Sequence, residues 1–130
     1  MTLGTWTPDA NEPELPDELS LAAAIKLGDQ QPFPAEPMPE VQPLQPWMKQ
    51  PQKAWRETWH PFNNEQLHAL IRFFTQAEQH WPGWQGNDKN PVIWICKELK
   101  QRTAFPDADL THWIKAHTDN RYLPYGNPLA

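Results

Sequence analysis

The stretch 63-NNEQLHALIRFFTQAEQHW-81 decides the fold class. Leu67, Leu70, Ile71, Phe74, Ala77 and Trp81 recur at three- and four-residue spacing, which places them on one face of a helix. Asn63 or Asn64 can cap its start, and the apolar spacing carries it to about His80. Downstream, residues 81–88 (WPGWQGND) read as a loop, because glycine, proline and asparagine break regular structure there. Asn90-Pro91 then supplies a cap and a first-turn proline for a second helix, with Val92, Ile95, Cys96 and Leu99 inward. Lys97, Lys100 and Arg102 sit outward toward its C-terminal end, where the helix dipole favours cations. Asp107 or Asp109 caps a third helix on which Leu110, Trp113 and Ile114 pack, fading near Thr118. The expectation is an all-α protein built on a three-helix unit at about residues 62–118.

Upstream of residue 62 the composition changes. The 130-residue chain has sixteen prolines, and eleven of them fall within residues 1–61. Residues 1–46 hold eight carboxylates and one lysine, a net of −7, while residues 47–130 carry a net of +2, which together give the chain's −5. This reads as an acidic, proline-rich arm (1–50) in front of a Trp-rich helical domain (51–130) with an irregular tail. The arm is expected to be largely extended, and residues 1–16 disordered, since Pro8, Pro13 and Pro16 interrupt a polar, acidic run. Two short helices punctuate it. One spans about 18–27, capped by Asp17 or Ser20 and stopped by Gly28, with Leu21 and Ile25 on one face and Ala22 beside them. The other covers 51–59, where Trp55 and Trp59 fall four apart. Both are too short to hold alone and must hide an apolar face. Between them, Pro34/Pro37 and Pro43/Pro46 form PxxP spacings that favour polyproline II, as a stiff spacer or a groove ligand.

No residue pattern reaches a catalytic, cofactor or metal signature. His68 and His80 are too far apart on one helix to share an ion, and His112 and His117 are five apart, not four. Cys96 occupies an apolar helical position, where a thiol acts as a small buried hydrophobe. Glu57, Glu65, Glu78 and Glu98 look scattered over helix surfaces, with no acid–base pair. A single cysteine excludes an intramolecular disulfide. The N-terminus lacks the basic and apolar regions of a signal peptide, and no apolar run approaches the ~18 residues of a membrane span. A cytoplasmic protein away from membranes is expected.

What stands out is a surplus of large aromatics, eight of them tryptophan. Tyr, Trp and Arg dominate interface hot spots. The expected function is therefore a noncatalytic protein–protein interaction module, an adaptor or accessory subunit with no cofactor. Its candidate partner-binding residues are Leu21, Ile25, Trp47, Trp55, Trp59, Arg121, Tyr122 and Tyr125. The alternative is a single-stranded nucleic-acid binder, with bases stacking on Trp47, Trp55 and Trp59 while Lys49, Lys53 and Arg56 track phosphates.

Overall fold

The computed structural model describes residues 16–55, 57–120, 122 and 123; of the run 1–16 expected to be disordered, residues 1–15 lie outside the described residues, and Pro16 is buried. The chain is all-helical, with no strand among the described residues. Its α-helices are α1 (Glu18–Gly28), the single-turn α2 (Gln52–Trp55), α3 (Asn64–His80), α4 (Pro91–Gln101) and α5 (Ala108–His117). Two 3₁₀ segments, Gln42–Lys49 and Asn87–Lys89, lie in the connections.

Each long helix starts where its cap chemistry dictates. Asp17 accepts from the Ser20 backbone N–H at 2.9 Å and from its hydroxyl at 2.7 Å, so aspartate and not serine caps α1. Asn63 and Gln66 form a reciprocal capping box on α3, with side-chain to backbone bonds of 2.7 and 2.8 Å. Asn90 caps α4 through Val92 at 2.8 Å, and Asp107 caps α5 through Leu110 at 2.9 Å. These ends were readable because capping is local.

Helix α3 is the centre of the molecule. Its anticipated stripe, Leu67, Leu70, Ile71, Phe74 and Ala77, is fully buried. A second stripe, Ala69, Phe73 and Gln76, is buried as well. The second face is covered by the upstream segment, which corrects the expectation of a largely extended arm. Helix α1 lies against α3 so closely that a Cβ on Gly28 would stand 2.0 Å from the Ala69 carbonyl oxygen. Gly28 is therefore less a stop signal than the point where two backbones meet. Leu21, Ala24 and Leu27 are buried along the same face of α1, while Ile25 is only half-buried and Ala22 is exposed.

The proline-rich piece is fastened in the same way. Phe33 stacks on Trp81 with ring centroids 5.0 Å apart, and the Trp81 indole N–H donates to the Pro34 carbonyl at 3.0 Å. Farther along, Pro43 and Pro46 lie in the 3₁₀ segment and not in polyproline II. With three residues per turn, the two prolines share one face and leave Val41 and Leu44 to share another. Val41, Leu44 and Met48 are fully buried. A proline tract becomes a packed wall because apolar residues recur between its prolines and a ring-rich surface is there to receive them. Each such side chain gains about 1.5–3 kcal/mol from burial, enough to offset ordering of its own residue.

The rings themselves form one continuous chain. Trp47 contacts Trp55 (5.3 Å), which stacks on Trp59 (4.7 Å) and meets Phe74 edge-on (6.0 Å). Phe74 meets Phe73 (5.1 Å), and Phe73 meets Trp81 (5.7 Å) and Trp84 (6.1 Å). The edge-to-face contacts match the favoured geometry of ring quadrupoles. Arg102 ties the Trp59–Phe62 turn to α4. Its guanidinium donates to the carbonyls of Phe62 (2.8 Å) and Trp59 (3.0 Å) and to Glu98 (2.9 Å).

Candidate interaction surfaces

The residues that the sequence offers for partner binding are mostly consumed internally. Trp55 and Trp59 are buried in this chain's own core, so they present no surface to a partner in this fold, while Leu21 is buried there too and reaches only the floor of one groove. Trp47 and Ile25 are half-buried and pack against the same core. Tyr122 is 51% exposed. Arg121 and Tyr125, together with Arg56, lie outside the described residues. The physical reason is area: a chain this small needs its indoles inside to make a core at all.

Glu78 departs most from its sequence reading. It is only 6% exposed, and four N–H donors converge on its carboxylate. One oxygen accepts from the backbones of Gly86 (2.7 Å) and Asn87 (2.8 Å), the other from the amides of Asn90 (3.0 Å) and Asn120 (2.8 Å). Gln79 adds a paired contact with Asp119. Glu78 thus organises the 81–90 loop, the start of α4 and the residues after α5. Periodicity gave no hint of this, because the donors come from three separate parts of the chain.

Among the described residues, two titratable groups are moved from their ordinary values. Burial pushes the Cys96 thiol up to about 12, which removes the chain's one thiol as a nucleophile near neutral pH. His68 is lowered from 6.5, chiefly by burial and then by the Arg72 guanidinium, with Asp107 and Glu65 opposing. His68 lies at a cleft of about 300 Å³ formed with Arg72, Asp107, Asp109, Leu110 and Trp113. Trp113 in turn stacks on His117 at 4.1 Å. Arg72 is held by Asp29 at 2.8 Å.

A histidine with a depressed native value takes its proton more readily in the unfolded chain. Its contribution is absent above the unfolded value near 6.5, and stability falls as the pH drops through that value toward the lower native one. Urea midpoints at pH 7.5 and 5.5 test this. The native sequence should lose more stability on acidification than His68→Gln. Equal losses would remove His68 as the cause.

Among the described residues, two further surfaces bear on partner binding. The first is a groove of about 330 Å³ where the start of α1 faces the turn before α3. Pro16, Leu21, Pro61 and Phe62 give it an apolar lining, with Glu18, Glu57 and Thr58 alongside. No lysine or arginine is among the described residues that line it. Leu19, in the same first turn of α1, is 80% exposed. The second is a lysine-bearing face on α4 around the half-buried Trp94, whose indole N–H donates to the Gln50 carbonyl at 3.2 Å.

Among the described residues, no group of three or more His, Cys, Asp or Glu side chains is arranged to hold a metal ion. No described helix is long and apolar enough to cross a membrane. No known protein family, curated protein or solved structure matches this chain.

Proposed function

We propose that this chain is a noncatalytic protein-interaction module, an adaptor or accessory subunit. It takes from its protein partner an apolar side chain flanked by Lys or Arg. The observation that carries this reading is the groove at the start of α1: an apolar lining from Pro16, Leu21, Pro61 and Phe62, edged by Glu18 and Glu57. An apolar anchor supplies affinity in such a site, while the carboxylates select a basic flank and reject an acidic one. A free, buried thiol is compatible with a reducing compartment, which supports reading the module as cytoplasmic.

The single-stranded nucleic-acid alternative is weaker because its stacking platform is gone. Trp55 and Trp59 are buried, and Trp47 leans on Trp55. Stacking needs a ring face open to a base.

Selection of a random peptide library on the immobilised full chain tests the proposal. Enriched peptides should share an aliphatic or aromatic anchor with Lys or Arg nearby. Glu18→Lys/Glu57→Lys, a double reversal at exposed positions, should weaken them at least tenfold. No enrichment, acidic consensus peptides, or undiminished binding by the reversal variant would each overturn the reading.

A further inference from the structure

The chain's cations are unevenly supplied with counter-charges. Arg72 is paired with Asp29 at 2.8 Å and Arg102 with Glu98 at 2.9 Å. By contrast, Lys49, Lys53, Lys97 and Lys100 have no carboxylate partner among the described residues. The segments that carry them meet at one point. Gln50, whose carbonyl accepts the Trp94 indole N–H, lies between Lys49 and Lys53 in the chain. The Lys97 ammonium stands 5.2 Å from the centre of the Trp94 ring, and Lys100 follows three residues later on α4. All four lysines are exposed.

We propose that this lysine face is the docking site of the chain's own first fifteen residues. Two independent observations select that occupant. The first is charge: residues 1–15 carry Asp9, Glu12 and Glu14, a hydrophobic Trp6, and no lysine or arginine. The second is where they join the fold. Residue 15 leads into Pro16, which lines the groove together with Glu57 and Thr58, only four and five positions beyond Lys53. Asp9 and Glu12 lie seven and four residues before Pro16, so when extended they reach up to about 25 and 14 Å from it, past Glu57 toward Lys53, while Glu14 stays close to Pro16. The tether also gives these carboxylates a millimolar-scale local concentration, which no free acidic partner matches without added affinity. The nearby groove is the wrong receptor for the same segment, because Glu18 and Glu57 repel it. Docking on the lysines instead holds the segment away from the groove and leaves that groove open.

The test uses the full chain with a spin label at Thr7→Cys. Native Cys96 is buried and its thiol lies far above neutral, so the label goes to position 7 alone. At about 50 mM salt, where charge screening is slight, the Trp94 indole N–H and the Lys97 and Lys100 amides should relax at least twice as fast as in the diamagnetic control. The effect should vanish at about 0.5 M salt, and in the variant Asp9→Asn/Glu12→Gln/Glu14→Gln. Broadening that is absent, that maps to the groove, or that survives loss of the three charges overturns the proposal. So does broadening found only when labelled and isotope-enriched molecules are mixed, which would assign the face to a second copy of the chain. None of these outcomes touches the peptide selection at the groove.

Discussion

Glu78→Ala is expected to lower the unfolding free energy by about 3–5 kcal/mol, a large share of what a domain of this size holds in reserve. The carboxylate satisfies two backbone N–H groups and two side-chain amides at once, at 2.7–3.0 Å. Truncation leaves those donors facing a void, and each buried donor without a partner costs about 1–3 kcal/mol. Partial rescue by water at the loop edge keeps the total below the simple sum. Glu78→Gln is the sharper test. It preserves shape, yet its amide must confront either the Gly86/Asn87 backbones or the two asparagine amides. Asn90 cannot turn over to accommodate it, since its carbonyl oxygen already caps α4 through Val92. A loss of about 2 kcal/mol is expected from two stranded donors. Urea midpoints give the stability, and hydrogen exchange at Gly86 and Asn87 gives the location. A glutamine variant as stable as the native chain would mean the carboxylate is not the organising group.

Trp55→Ala should cost about 3–5 kcal/mol, the usual penalty for emptying a buried tryptophan site. Trp55 is fully buried, stacked on Trp59 and in contact with Trp47 and Phe74. Its loss unlinks the 47–59 segment from α3, so the damage extends beyond the cavity. Trp55→Phe should cost far less, about 1–2 kcal/mol. The Trp55 indole N–H is buried with no acceptor among the described residues, and phenylalanine removes that donor while retaining most of the ring. Equal destabilisation by the two substitutions, measured by urea unfolding, would show that the indole's shape outweighs its stranded N–H.

Both variants test the same architectural point from opposite ends of α3. One holds the downstream loop and tail to the helix, the other holds the upstream segment to it. Neither role is visible in local spacing. Glu78 looks like one of several surface glutamates until Asn90 and Asn120 are brought to it from twelve and forty-two residues away. Trp55 and Trp59 were recognisable as a pair four apart on one face. Whether that face met a partner or the chain itself depended on α3, which begins five residues after Trp59. The same ambiguity applied to Leu21, and it too resolved inward. The groove was less legible still, because Pro16, Leu21 and Phe62 come from segments that only tertiary packing places together.

What the sequence by itself determined is the four longer helices and where they start; the helix expected over 51–59 is a single turn, Gln52–Trp55. The three- and four-residue apolar spacing of α3, and the caps at Asp17, Asn63, Asn90 and Asp107, act within a single turn of chain. Their physical consequence does not wait for the rest of the molecule. What only the tertiary structure decided is the fate of the proline-rich segment and of the aromatic surplus. Prolines three apart suit an extended spacer and a 3₁₀ turn alike, since both repeat every three residues. The balance falls to the packed form because Val41, Leu44, Met48 and Phe33 find a second apolar face on and around α3. That face, Ala69 and Phe73 with the close approach at Gly28, is a property of two segments together and of neither alone.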